Sequence, residues 1–98
     1  MDLNTLEDRL RKTKAIGLFT KLELKNQVGD LIDEFARYHS EKSALNLDQL
    51  REHFNLLLMK LLSLLQDDDP GLQHDIASAR PVLWSALADP RQFANLKG

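Results

Sequence analysis

The stretch from Phe54 to Leu65 reads FNLLLMKLLSLL, and nine of its twelve residues are Phe, Leu or Met. It contains no Gly, Pro or β-branched residue, and Leu, Met and Lys are good helix formers, so the stretch predicts a helix. At 100° per residue, one broad face carries Leu50, Phe54, Leu57, Leu58, Leu61, Leu64 and Leu65. The opposite face is polar except for Leu56 and Met59. We expect a helix with this much apolar surface to have neighbours on more than one side.

The residues before this stretch predict where its helix begins and what precedes it. Asn46 followed by Gln49 is typical of a capping box, with Leu45 and Leu50 spaced as a hydrophobic staple. The connection from Ser43 to Asn46 follows a second amphipathic helix, at about 21–42. Its apolar face carries Leu24, Val28, Leu31, Ile32, Phe35 and Tyr38. Its opposite, solvated face carries Asp30, Asp33, Glu34, Arg37 and Glu41.

The N-terminal segment predicts a short helix over about 4–15, capped by Asn4 or Thr5. Its apolar stripe is thin, so we expect it to be the least stable element. Gly17 favours a break, and the Thr20-x-x-Glu23 pattern favours a new start. Two alternatives remain open: a short strand, because apolar residues alternate from 18 to 24, and one continuous helix over 4–42.

The residues after the central stretch predict where its helix ends, at about residue 66. Three acids, Asp67–Asp69, oppose the dipole at a helix C-terminus, and Asp69 with Pro70 is typical of a new start. The apolar positions Leu72, Ile76, Ala79, Leu83 and Ala86 stay in phase across Pro81. This predicts one helix over 70–88, kinked at Pro81. Asp89 and Pro90 repeat the start signal and predict a last turn or short helix.

These elements predict an all-α fold in a single domain over 1–98. It is a bundle of four main helices, at about 4–15, 21–42, 47–66 and 70–88, with a short C-terminal turn or helix. Short connections make neighbouring helices roughly antiparallel. We expect the third helix to be central, flanked by the second and the fourth.

Composition narrows the classes of function. The chain is 43% apolar and 29% charged, which is typical of a globular protein. A net charge of -2 gives no electrostatic reason to expect nucleic acid. The absence of cysteine excludes disulfides and thiolate metal sites. The acidic N-terminus does not read as a secretory signal, and the apolar run at 54–65 is shorter than the roughly 20 residues of a membrane span. We therefore expect a cytoplasmic protein.

No pattern predicts a catalytic residue, a cofactor or a metal site. The three histidines, His39, His53 and His74, lack the spacing of a two-histidine helical metal motif and are expected to be structural or exposed. The acids of 67–69 do not form a calcium loop, because Gly and Glu are missing at the required positions. The glycines are isolated, so no phosphate-binding loop is present.

The candidate partner-binding residues are apolar or basic. Leu56 and Met59 provide surplus apolar surface, to be buried in the core or at an interface. Trp84 lies about 120° from the apolar stripe of its helix, where it would anchor a partner or pack on the first helix or the tail. Arg11 and Lys14 belong to a basic cluster with Arg9, Lys12, Lys21 and Lys25. That cluster would steer an acidic partner or anionic surface, or simply solubilise the chain.

The sequence therefore predicts a non-catalytic protein–protein interaction or regulatory module, self-associating as a homodimer. One alternative is a histidine phosphotransfer domain that carries the phosphoryl group on His53. Leu57, four residues later, is larger than the neighbour that an accessible phosphohistidine would favour. A small metal-binding helical protein is the other alternative.

Overall fold

The chain is described by a computed structural model, which covers residues 1–42 and 44–97. Within these ranges there are six helices and no strand, so the predicted all-α class is confirmed. The helices are α1 (Leu3–Lys12), α2 (Leu18–His39), α3 (Leu47–Leu65), α4 (Pro70–Ser78), α5 (Arg80–Ala88) and α6 (Pro90–Lys97). Ser43, predicted to open the connection between α2 and α3, lies outside the described residues.

Helix α3 begins where the sequence predicts. The Asn46 side chain accepts the Gln49 N–H at 2.8 Å, and the Gln49 side chain accepts the Asn46 N–H at 2.9 Å. This reciprocal pair satisfies two backbone donors that a helix start leaves unpaired. The buried face consists of Leu50, Phe54, Leu58, Leu61 and Leu65. Helix α3 packs against α2 on one side and α4 on the other.

Helix α2 begins earlier than predicted. The predicted break near Gly17 is confirmed, which excludes both the continuous helix over 4–42 and the strand. The predicted cap at Thr20 is wrong, because Thr20 already lies inside the helix and Gly17 is the N-cap. Gly17 makes no side-chain cap, but its carbonyl accepts the Lys21 N–H at 2.9 Å. Glu23, the predicted partner of Thr20 in a capping box, pairs instead with Lys60 of α3.

Helix α1 is shorter than predicted, and its cap is Asp2 rather than Asn4 or Thr5. The Asp2 carboxylate accepts the Thr5 N–H at 2.8 Å, and this hydrogen bond lowers the pKa of Asp2. The Asp2 carboxylate also complements the positive end of the helix dipole. Leu3 and Leu6 are buried, so the thin apolar stripe reaches the core.

Helix α1 is tied to α4 by two polar contacts. Arg9 Nη1 pairs with Asp75 Oδ2 at 2.5 Å, and the Thr13 hydroxyl donates to Asp69 Oδ2 at 2.7 Å. Increasing residue numbers along α1 therefore meet decreasing numbers along α4, so the two run antiparallel.

The prediction of one kinked helix over 70–88 is wrong, because the chain forms two helices that meet at Ala79. Pro81 cannot donate to the Ala77 carbonyl, and its ring would collide with that carbonyl in a continuous helix. The Ala79 N–H still donates back to Asp75 at 3.0 Å, and the Ala79 carbonyl accepts the Leu83 N–H at 2.9 Å. The apolar phase nevertheless continues, with Leu72, Ile76, Ala79 and Leu83 all buried.

The predicted C-terminal helix is confirmed as α6. The Asp89 carboxylate accepts the Arg91 N–H at 2.8 Å and the Gln92 N–H at 3.3 Å. Helix α6 packs against α5 and buries Phe93. The molecule measures 40 × 24 × 23 Å, with a radius of gyration of 13.4 Å, close to the roughly 13 Å typical of about 100 residues.

Candidate interaction face on α2 and α3

Cross-helix pairs fix the register of α2 against α3. His53 Nδ1 lies 2.7 Å from Glu34 Oε2. Lys60 Nζ donates to Glu23 Oε1 at 2.9 Å and to Gln27 Oε1 at 3.2 Å. Higher numbers on α3 therefore meet lower numbers on α2, and the two helices run antiparallel. These pairs also set the depth of every other residue along the two helices.

Helical geometry then defines the surface that α2 and α3 present away from the core. At 100° per residue, this outer face carries positions opposite the buried residues of each helix. On α2 it consists of Phe19, Leu22, Asn26, Asp30, Asp33 and Arg37. On α3 it consists of Gln49, Glu52, Leu56, Met59, Lys60 and Ser63.

The outer face is rich in exposed apolar side chains. Phe19 is 86% exposed and Leu22 is 52% exposed on α2. Leu56 and Met59 are 60% and 58% exposed on α3. Leu18, next to Phe19, is exposed as well. Helix α3 has α2 and α4 as neighbours, which agrees with the expectation of neighbours on more than one side, but its back, with Leu56 and Met59, faces solvent.

A groove of about 320 Å³ runs along the outer face between the two helices. Its apolar part is formed by Leu31, Leu56 and Leu57, of which Leu31 is buried. Polar groups line the rest, namely Gln27, Asp30, Glu34, His53 and Lys60. The groove combines an apolar floor with a charged rim, which suits a side chain of another protein better than a small polar ligand.

His53 and Glu34 form a histidine–carboxylate pair at the rim of this groove. Because a carboxylate can only accept, Nδ1 of His53 carries the proton and donates to Glu34. The His53 side chain is 43% exposed, and its Nε2 makes no hydrogen bond to any described residue. The pair orients the ring and leaves Nε2 with a free lone pair towards solvent.

Trp84 lies against α2 and α3, with its ring centroid 5.7 Å from that of Phe35 and 5.4 Å from that of Phe54. The Arg51 guanidinium lies 5.2 Å from the indole centroid. Trp84 is half-buried, so most of its apolar surface already serves the fold of the chain.

Part of the basic cluster pairs with carboxylates of the same chain. Arg11 and Lys12 both pair with Asp8, at 2.7 and 2.9 Å. Hydrogen bonds from Lys12 first, and then Arg11, hold the pKa of Asp8 below its usual value. Lys21 Nζ donates to the Arg11 carbonyl at 2.7 Å. Lys14 makes no ion pair with any residue of 1–42 or 44–97, and it lies on the short loop between α1 and α2.

The other two histidines lie apart from His53. His39 Nε2 donates to the Leu87 carbonyl at 2.7 Å, and its ring centroid lies 4.8 Å from that of Phe93. His39 therefore provides a hydrogen-bond donor for a carbonyl in the last turn of α5, which is the structural role expected from the sequence. His74 is exposed and lines a second groove, between α1 and α4, with Arg9 and Asp75.

The described residues contain no group of three His, Asp or Glu side chains placed to hold a metal ion. Among the helices in 1–42 and 44–97, none is both long and apolar enough to cross a bilayer.

Sequence reasoning found half of the apolar part of the outer face. Leu56 and Met59 stand out because they interrupt a polar face, whereas Phe19 and Leu22 were not identified. The signal for both was available, since Leu22 lies opposite Leu24 and Leu31 in the predicted helix, and Phe19 lies near the same face once the helix begins at residue 18. The alternating apolar pattern of 18–24 also fits a strand, and it therefore did not indicate a helical face.

In comparisons with known proteins, no family model, no curated protein and no solved structure matches this chain.

Proposed function

We propose that the protein is a non-catalytic interaction module that self-associates as a homodimer through the outer face of α2 and α3. The observation that carries this proposal is the exposure of Phe19, Leu22, Leu56 and Met59 on one side of two adjacent helices. Isolated exposed apolar residues are ordinary, but a group of them on one face is typical of an interaction site.

The dimensions of the face support an interface of modest size. Helix α3 has 19 residues, which at 1.5 Å each span about 28 Å, and two packed helices are about 20 Å wide. The face therefore covers about 560 Å² on each copy, or about 1,100 Å² in a dimer that buries all of it, just above the lower limit of about 1,000 Å² for a specific interface. An interface of this size fits a reversible dimer better than an obligate one.

Paired substitutions test the proposal. Leu56→Asp with Met59→Asp places charge in the centre of the face and should convert the dimer to a monomer, measured by light scattering after size exclusion. Val82→Asp is the matched control, because Val82 is 52% exposed but lies on α5, away from the face. A wild-type chain that is already monomeric at high concentration contradicts the proposal. So does an equal loss of dimer in the control.

A second candidate, phosphotransfer through His53, is supported by the hydrogen bond between its Nδ1 and Glu34. With Nδ1 occupied, Nε2 could attack the phosphorus of an acyl phosphate, forming an N–P bond as the P–O bond to the leaving carboxylate breaks. Glu34 would stabilise the positive charge that develops on the ring. Leu57 lines the same groove and restricts access on one side.

Mass spectrometry of the intact chain after incubation with acetyl phosphate tests this candidate. It predicts an added phosphoryl group that is labile in acid, is lost in His53→Ala and persists in His74→Ala, where an exposed histidine is removed. Unmodified wild-type protein, or equal labelling of His53→Ala, would end the idea.

A further inference from the structure

When the helices of the two copies are aligned, the outer face can meet a second copy of itself in two ways, and its charges distinguish them; the inference rests on the proposed homodimer. If the two-fold axis runs across the helices, α2 lies over α2 of the second copy and α3 over α3, in antiparallel pairs. If the axis runs along the helices, α2 lies over α3 of the second copy at the same depth. Both arrangements are closed and isologous.

The first arrangement brings like charges together. Helix α2 presents Asp30 and Asp33 on the outer face, with Glu23 beside Lys60 of α3, against the single cation Arg37. Stacking α2 on its own copy in the antiparallel direction, with the axis at the middle of α2 near Val28, places Glu23 close to Asp33 of the second copy. Like charges placed opposite one another at an interface disfavour that pairing.

The second arrangement repeats a complementarity that already exists inside one chain. Acids of α2 meet cationic or protonatable groups of α3 at matched depth, as Glu23 with Lys60 and Glu34 with His53 show. With the axis along the helices, the acids of α2 again approach Lys60 and His53, now of the second copy. Arg37 comes within one helical turn of Glu52 of the second copy, which is favourable. Asp33 also approaches Glu52 of the second copy, and this pair of like charges is unfavourable.

The same arrangement brings the apolar residues together. Leu22 lies near the depth of Lys60 and Ser63 on α3, as the Glu23–Lys60 pair shows. Leu22 of one copy therefore meets the turn that carries Met59 in the other, and the two Leu56 side chains approach across the axis. With the axis across the helices, by contrast, Phe19 would lie over Arg37.

We propose that the occupant of the α2–α3 outer face is a second copy of this chain, related by a two-fold axis parallel to the helices. The dimer is a four-helix arrangement in which α2 of each copy packs on α3 of the other. The groove that holds His53 and Glu34 becomes enclosed at this interface, so the His53–Glu34 pair is exposed only in the monomer.

Cysteine cross-linking tests the arrangement with no background, because the chain contains no cysteine. The His53–Glu34 pair places Arg37 of α2 at the depth of Gln49 of α3. Arg37→Cys and Gln49→Cys are made as separate variants, mixed to allow exchange of chains and treated with a short bifunctional maleimide. The mixture should yield a covalent dimer on a denaturing gel. A mixture of Arg37→Cys with Phe19→Cys should yield no more than each variant alone.

Controls separate failure of the arrangement from failure of the dimer. Ser85→Cys, exposed on α5, should yield no covalent dimer with Arg37→Cys. A covalent dimer between positions 37 and 19 overturns the proposed axis, as does the absence of any product from a chain that is dimeric by light scattering. In either case self-association itself stands. A chain that is monomeric by light scattering removes both proposals.

Discussion

Asp69 shows how one residue can hold two helices. Its carboxylate caps α4 by accepting the Leu72 N–H at 3.2 Å, and it accepts the Thr13 hydroxyl from the end of α1 at 2.7 Å. The Thr13 hydrogen bond, followed by that from Leu72, holds the pKa of Asp69 below its usual value of 3.8. The cap could be predicted from the Asp-Pro pair, but the contact with Thr13 could not, because it joins residues 56 positions apart.

The lowered pKa of Asp69 predicts how pH affects α1. A depressed pKa in the folded state contributes stability above the unfolded value of 3.8, and that contribution is lost as the pH falls through the folded value. Thr13→Val should therefore lower the free energy of unfolding at pH 7 and lower it less at pH 3. Urea unfolding at both pH values measures the difference. An equal loss at the two pH values would show that the hydroxyl acts independently of the carboxylate charge.

Two similar capping signatures had different outcomes. Asn46-x-x-Gln49 forms a capping box, whereas Thr20-x-x-Glu23 does not, because α2 has already begun at Leu18. Glu23 instead pairs with Lys60 across the α2–α3 contact at 2.9 Å. A local pattern states which hydrogen bonds are available, and tertiary contacts decide which are made.

This difference predicts unequal effects of two alanine substitutions. Asn46→Ala removes a side-chain cap and should lower the free energy of unfolding by about 1 kcal/mol. Thr20→Ala, the matched control at the unused signature, should not lower it, because no cap is lost and Ala is a better helix former than Thr. Chemical denaturation of both variants measures the effect. A larger loss at Thr20 than at Asn46 would contradict the assigned helix starts.

At the scale of elements, α2 contains a glycine that no contact within the chain requires. Gly29 lies inside the helix on an exposed position, and a Cβ added there would meet nothing within 4 Å. A glycine inside a helix costs about 1 kcal/mol relative to alanine, because its unfolded state is more flexible.

Substitutions of two glycines of the same segment should have opposite signs. Gly29→Ala should raise the free energy of unfolding by about 1 kcal/mol. Gly17→Ala should lower it, because Gly17 is the N-cap of α2 and alanine is a poorer N-cap than glycine. Thermal or urea unfolding of the two variants measures both effects. Destabilisation by Gly29→Ala in the monomer would mean that the position is more crowded than the structure shows.

The helix boundaries agree with the predictions where residues next to the boundary determine it. The starts of α3, α4 and α6 could be predicted because Asn or Asp with a suitable third residue or proline marks each of them. The separation of α4 from α5 could not, because the apolar phase is continuous across Pro81. Whether a proline bends a helix or divides it depends on how the flanking turns pack, which one sequence does not state.

At the scale of the whole molecule, the leucine-dense α3 has two unlike sides. Its inner side builds the core, as its apolar face predicts. Its outer side leaves Leu56 and Met59 in solvent, beside Phe19 and Leu22 of α2. The sequence indicated that α3 has more apolar surface than one neighbour can cover, but whether its own chain covers the rest depends on the tertiary arrangement. The structure assigns that surface to the outer face.

Sedimentation equilibrium of the unmodified chain, from about 10 µM to about 1 mM, tests the central claim most directly, because a reversible dimer changes mass across this range of concentrations. Self-association through the outer face predicts a mass that rises from 11.2 kDa towards twice that value, and that stays at 11.2 kDa when Leu56 and Met59 are both changed to Asp. A mass of 11.2 kDa for the unmodified chain at every concentration would contradict it.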